Sequence, residues 1–331
     1  MDKKVRIGIL GAARIATKRV IPAMQQAGNL SLYALASRSI DKAKSACAEF
    51  EIPNAYDSYD LLLADSAVDA VYIPLPNNLH VEWAIKALNA GKHVLCEKPI
   101  AINSKELEAL ISASTKHPEL KLMEAFMYRL HPQWIKTKEL IGEGQIGRLR
   151  TIHTHFSYFN DDPNNVRNIA GYGGGGLLDI GCYAVSSARY IFGKEPEKVT
   201  ALLDKDPQFD TDRIASGMMD FGTGFASFHC STQMYYHQQV EIIGTTGRIK
   251  LQWPFNPDEK KPAEVVLYNQ DGEQKIQVEL CNQFTLEAEA FANSILQNTE
   301  VPITLSESIA NLKVIDAIGN ASVKGEWETI N

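Results

Sequence analysis

Short apolar runs alternate with helical stretches through the first 120 or so residues, and this alternation constrains the fold more than any other feature of the chain. Residues 5–10, 30–37, 68–74, 93–96 and 120–125 read as strands, and residues 14–27, 41–50, 58–64, 80–90 and 104–116 as helices between them. A parallel pair of strands needs a long crossover, usually a helix. The pattern therefore predicts an α/β domain with a parallel, doubly wound sheet. It changes after Arg129. A helix over 132–143 leads into residues 149–156, which alternate with period two, and further strand-like runs fall at 199–203, 214–221, 224–231, 238–244, 247–251 and 263–268. Helices are expected at 178–192, 284–297 and 306–319, and a loop rich in Asn, Asp and Gly at 160–176. Consecutive strands joined by short turns predict an α+β domain with an open, mostly antiparallel (mixed) sheet. With 331 residues the chain exceeds one hydrophobic core, so the reading is two domains, 1–124 and 125–331.

Composition narrows the class of partner. Hydrophobic residues make up 45%, enough for two packed cores, and the net charge of −7 with no dense basic run argues against nucleic acid. The pair Lys260-Lys261 reads as solvated loop charge. The five cysteines are Cys47, Cys96, Cys182, Cys230 and Cys281. Their wide spacing forms no zinc motif and fits a reducing cytosol, so no metal is expected. The chain passes from Met-Asp-Lys-Lys straight into a strand, without a signal segment, and no apolar run reaches the length of a membrane span. A cytoplasmic location without membrane association follows as the expectation.

The first strand ends in Gly11-Ala12-Ala13-Arg14-Ile15-Ala16, a Gly-x-Ala-x-x-Ala version of the dinucleotide fingerprint Gly-x-Gly-x-x-Gly/Ala. Gly11 permits the tight turn. Ala13 replaces the glycine that lets backbone approach a pyrophosphate, with the smallest intrusion a side chain can make. The helix start behind it offers free N–H groups and a positive dipole end. Gly11 through Ile15 are therefore read as cofactor-binding. After the second strand stand Ser37 and Arg38, where an NAD site carries an acidic residue for the ribose 2′-OH. A small residue followed by Arg fits NADP in preference to NAD.

Residues 74–80 read Pro-Leu-Pro-Asn-Asn-Leu-His, and residues 91–99 read Gly-Lys-His-Val-Leu-Cys-Glu-Lys-Pro. With the N-terminal turn, these segments resemble the glucose–fructose oxidoreductase and inositol dehydrogenase (Gfo/Idh/MocA) family, whose signature is the triplet Glu97-Lys98-Pro99. The resemblance continues through residues 124–132 and the glycine-rich stretch 173–193, so it covers nearly the whole chain. It is nearest to the branch of NADP-dependent D-xylose dehydrogenases and dihydrodiol dehydrogenases. It implies a Rossmann domain, an open sheet that builds the substrate side, a homodimer or homotetramer, and a sugar or polyol substrate. It also implies that Leu75, Pro76, Asn77, His80, Glu97 and Lys98 line the cofactor, with His80 flanking the nicotinamide half or serving instead as a helix cap.

Lys98 ends a parallel strand, where ligands bind in such sheets, and burial there would suit it to proton transfer. Asp179 and Tyr183 are four residues apart, on one face of a helix, behind the run Gly173–Gly176. By resemblance Tyr183 is the principal acid/base, Lys98 lies beside it and lowers its pKa, and Asp179 hydrogen-bonds the substrate. Arg129 and Arg167 are further candidate contacts, and His153 and His155 are expected on one side of a strand. The reading is oxidation of an aldopyranose such as D-xylose at C1 to a lactone with NADP. The alternatives are a trans-dihydrodiol or inositol/polyol dehydrogenase and a non-catalytic nucleotide-sensing regulator.

Overall fold

The computed structural model describes residues 3–330, and the chain divides into two units, 1–127 with 282–308 and 128–281 with 309–331. The first unit is built on six parallel strands, β1 (Val5–Leu10), β2 (Leu30–Ala36), β3 (Asn54–Tyr56), β4 (Ala70–Ile73), β5 (His93–Glu97) and β6 (Leu122–Ala125). Their order is β3-β2-β1-β4-β5-β6, the doubly wound arrangement that turns back between β1 and β4. Every residue of β4 and of β6 is buried, as expected of strands covered on both faces. The crossovers carry α2 (Ile40–Glu49), α3 (Tyr59–Ala64), α4 (His80–Asn89) and α5 (Leu107–Lys116), numbered after the helix that follows β1.

That first helix departs from expectation. Instead of running over 14–27, it ends at Met24, with a π turn over Ala16–Val20 followed by α1 (Ile21–Met24). Pro22 has no N–H to give to the carbonyl four residues back, so a regular α ladder cannot run through it. The Ile21 N–H reaches Ala16 O instead, and the extra residue is absorbed in the wider turn.

The expected division at residue 124/125 also needs correction, because residues 282–308 belong with the first unit. Helix α8 (Gln283–Leu296, with α6 and α7 in the second unit) buries Phe284, Ala288 and Phe291 against α1, β1 and β2. The Asn29 side chain donates to Glu289 O and Asn293 Oδ1, both at 2.8 Å, and Thr285 Oγ1 donates to Ala23 O at 3.0 Å. An apolar stripe on a helix announces burial but does not say against which sheet.

The second unit holds a nine-stranded sheet of β7 (Leu149–Phe159), β8 (Lys198–Lys205), β9 (Asp212–Asp220), β10 (Phe225–Ser231), β11 (Gln233–Gly244), β12 (Arg248–Leu251), β13 (Glu264–Asn269), β14 (Gly272–Gln277) and β15 (Glu328–Thr329). The order is β14-β13-β12-β11-β7-β10-β9-β8-β15, antiparallel throughout except for the β7–β10 pair. Ile152, Phe156, Val240, Phe228 and Ala215 share the buried face. His153, His155, Ser227, His229 and Met218 share the other. Helices α6 (Pro132–Gly142) and α7 (Cys182–Phe192) pack on this unit, and α9 (Leu305–Lys324) runs into it from the first. Among the described residues no helix is long and apolar enough to cross a membrane.

Candidate active site

The C-terminal edge of the six-stranded sheet collects the residues predicted to hold a cofactor. Gly11 follows β1 with φ +112°, and its N–H donates to Ala36 O at 2.8 Å. A Cβ there would stand 3.1 Å from Leu75 Cδ2, which would have to give by a few tenths of an ångström, and the positive φ is itself costly for any residue with a side chain. Ala12, Ala13 and Ile15 are half-buried and Arg14 is exposed. Ser37 is buried directly after β2, its Oγ accepting from Ser39 N, and Arg38 beside it is exposed. The Arg38 guanidinium bonds the Tyr59 hydroxyl, which opposes the effect of burial on that phenol. Tyr59 in turn meets Trp83 edge-on at 4.9 Å.

Leu75, Pro76 and Asn77 are half-buried in the segment between β4 and α4. His80, the first residue of α4, is fully buried and neither caps the helix nor faces solvent. Its Nδ1 lies 2.7 Å from Pro99 O and its Nε2 2.7 Å from Leu75 O, so the ring ties the segment after β4 to the segment after β5. Both partners are acceptors, and a neutral ring donates to one of them. Burial drives the His80 pKa down to about 4, so the ring is neutral at pH 7. His80 therefore supports the loops predicted to line the cofactor.

Glu97 ends β5, and Lys98 follows it, half-buried, before a cis bond to Pro99. The fully buried Tyr72 donates its hydroxyl to Glu97 Oε1 at 2.7 Å. Behind this pair lies Glu287 on α8, 1% exposed, whose proton is held by burial and by the charge of Glu97. Neither Tyr72 nor Glu287 stands out in the sequence, because a tyrosine in a strand and a glutamate in a helix carry no local signal. The edge fits a dinucleotide on its own geometry. It offers the Cβ-less turn at Gly11 and a helix start, and in the segment after β4 Asn78 Oδ1 is buried without a hydrogen-bond partner.

The second unit holds the remaining predicted residues. Residues Leu177–Gly181 form a π turn that leads into α7, so Asp179 and Tyr183 lie across a change of helix type and not on one regular α-helix face. Asp179 Oδ2 accepts the Tyr158 hydroxyl at 2.5 Å and pairs with Arg167 Nε at 2.9 Å. Burial and the Asp179 charge keep the Tyr158 phenol protonated, its pKa raised. Tyr158 was missed by the sequence reading because β7 runs three residues past the alternation recognised there. Tyr183 packs among Tyr128, Phe156 and Phe255, with ring centroids 5.7, 5.8 and 5.1 Å away. Arg129 stacks on Tyr190 at 4.1 Å, and Arg167 belongs to the Asp179 group.

A six-stranded, doubly wound sheet with this glycine turn after β1 is the arrangement of a dinucleotide-binding domain. The family description "Oxidoreductase family, NAD-binding Rossmann fold" matches residues 5–126, and the GFO/IDH/MocA C-terminal domain matches residues 134–250. An uncharacterized oxidoreductase of Rhizobium meliloti, ORF334, is 42% identical, with 98% of this chain and 99% of that protein covered. The D-xylose 1-dehydrogenase (NADP(+)) 2 of Haloferax volcanii is 36% identical over 96% of this chain and 97% of its own length. Among solved structures, the 3-ketoreductase KijD10 of Actinomadura kijaniata, in complex with NADP and TDP-benzene, superposes with a TM-score of 0.91 at 31% identity, covering 96% of this chain and 98% of that one. The chain belongs to the Gfo/Idh/MocA family and is an NAD(P)-dependent oxidoreductase.

Proposed function

We propose that the protein oxidises a sugar with NADP, removing hydride from C1 of an aldopyranose such as D-xylose to give the lactone. The observation that carries the cofactor choice is the end of β2, where a buried Ser37 and an exposed Arg38 leave space and positive charge for a 2′-phosphate. The similarity to an NADP-dependent D-xylose dehydrogenase along nearly its full length supports the substrate class.

When bound, the nicotinamide accepts the hydride. The chain's own groups bind, orient and manage the proton. Gly11 and Ala12 through Ile15 take the pyrophosphate at the helix start, and Leu75, Pro76, Asn77 and Glu97 line the edge that His80 braces. Tyr183 takes the proton of the reacting hydroxyl as general base, its ring held in one orientation by Tyr128, Phe156 and Phe255. Tyr183 begins as the phenolate and ends as the neutral phenol, and Lys98, the cation of the signature triplet, favours negative charge on the substrate oxygen that loses the proton. Asp179, with its charge shared between Arg167 and Tyr158, accepts a hydrogen bond from a second substrate hydroxyl and so favours polyhydroxylated substrates. For self-association, the open face of the nine-stranded sheet offers Leu202, Met218 and Phe225, which are 77%, 42% and 47% exposed.

The test is a panel. Purified protein is mixed with NADP⁺ or NAD⁺ and with aldoses, inositols and a trans-dihydrodiol, and reduced cofactor is followed by absorbance. NADPH formation with a pentose or hexose, and little NADH, is expected. Turnover confined to the dihydrodiol or an inositol contradicts the substrate assignment. Cofactor binding without turnover on any substrate contradicts catalysis and favours a regulator.

A further inference from the structure

The π turn that carries Asp179 begins on the run Gly174-Gly175-Gly176, and this backbone is held by a residue from a distant strand. A π turn leaves one more N–H without an intrahelical partner at its start than an α turn does. Here Asp212, the first residue of β9, supplies the acceptor. Leu177 N donates to its Oδ2 at 2.6 Å, and the Gly176 N–H also bonds the carboxylate. Gly175 has φ +113°, and a Cβ built on it would overlap Asp212 Oδ1, while one on Gly176 would sit 3.4 Å from Oδ2. The carboxylate thus lies against the glycine backbone itself. The run is closed from the other side by Gly175 N donating to Arg167 O at 2.9 Å, and Asp179 N closes back on Gly175 O at 3.1 Å. Leu177 is two residues before Asp179 and six before Tyr183, within the same continuous helical segment.

We infer that Asp212 is a positioning residue of the oxidoreductase reaction, fixing the Gly175–Leu177 backbone and through it the aim of Asp179 and Tyr183. Asp212 touches neither cofactor nor substrate in this role. It acts as a remote cap on the turn that carries two groups that do. Burial raises its pKa to about 6, and the backbone N–H groups of Leu177, Gly176 and Asp212 itself pull in the opposite direction, so it is mostly ionised at pH 7. The space at Gly175 makes the length of residue 212 as important as its charge. The inference rests on the reading of Asp179 and Tyr183 as active-site groups, and the experiment separates the two.

Asp212→Asn, Asp212→Glu and Tyr183→Phe are compared with the parent for kcat, KM for the best sugar of the panel, NADP Kd and Tm. Asn keeps an acceptor oxygen at the same reach. Glu keeps the charge and adds a methylene where the glycine backbone already fills the space. Misplacing a reacting group by about 1 Å costs about 100-fold. The expected result is kcat for Asp212→Asn within about threefold of the parent and kcat for Asp212→Glu lower by about 10- to 100-fold, with NADP Kd unchanged in both. Asp212→Ser, with a shorter side-chain acceptor, replaces Asp212→Glu if the latter does not fold, and the same loss of kcat is expected of it. Loss of turnover in Tyr183→Phe with parental kcat and KM in the Asp212 variants overturns this inference alone. Full turnover in Tyr183→Phe overturns the site reading and this inference with it.

Discussion

Replacing His80 by leucine tests how the cofactor edge is held together. The imidazole is fully buried and spans 2.7 Å contacts to Leu75 O and Pro99 O. Leucine fills a similar volume and donates nothing, so the carbonyl that received the N–H is left buried and unsatisfied. That costs about 1–3 kcal/mol. At about 2 kcal/mol, a domain of this size melts about 4–8 °C lower. The two segments tied by the ring carry Leu75-Pro76-Asn77 on one side and Glu97-Lys98-Pro99 on the other. If ligand must restore the order lost between them, the same 2 kcal/mol appears as an NADP Kd weaker by about 30-fold. Scanning calorimetry with and without NADP, together with a fluorescence titration, reads both quantities. A His80→Leu protein that melts with the parent and binds NADP equally well would refute the bracing role.

Two further outcomes follow from the second unit. Tyr158→Phe deletes a hydroxyl bonded to a carboxylate, a bond worth about 1.5–3 kcal/mol, so kcat/KM for the sugar falls by about 10- to 100-fold with NADP Kd unchanged; unchanged kcat/KM contradicts the tethering of Asp179. His131 caps α6 by accepting Gln133 N at 3.1 Å on Nδ1, which requires the neutral ring, and burial lowers its pKa to about 4. Because its folded pKa lies below the unfolded value, its contribution to stability is full above about pH 6.5 and is lost as the pH falls toward 4. At pH 5 the loss is about 2 kcal/mol, and His80 adds a loss of the same sign and similar size. Asp212, raised to about 6, contributes with the opposite sign between about pH 4 and 6. His131→Asn keeps a cap and cannot titrate, so chemical denaturation at pH 7 and pH 5 should give a smaller difference than in the parent. An equal difference shows that His131 contributes nothing.

The six-stranded sheet was legible because its strands are continuous apolar runs bounded by turns, as in 5–10 and 68–74, and because Gly11 can do what few other residues can. The short β3, with three half-buried residues, and β14, a polar edge strand of Gly-Glu-Gln-Lys-Ile-Gln, carry no such pattern and were not anticipated. The return of α8 to the first unit was hidden for another reason. Phe284, Ala288 and Phe291 mark a buried face without naming the surface that buries it. Lys98, Asp179 and Tyr183 were visible as residue types at telling positions in the sequence. Their supports were not, since Tyr158 lies 21 residues before Asp179 and Asp212 lies 35 residues after Leu177. A hydroxyl or carboxylate at a strand end acquires meaning only when the fold brings a partner to it.

The proposed hydride transfer from a sugar puts Lys98 in the proton chemistry. Lys98→Met tests this role, because methionine keeps most of the apolar stem of lysine and removes the charge and its donors. With the best substrate and cofactor of the panel, Lys98→Met is expected to fold, still bind NADP, and lose turnover by about 100-fold or more. A Lys98→Met protein that reduces NADP⁺ at the parental rate would contradict it.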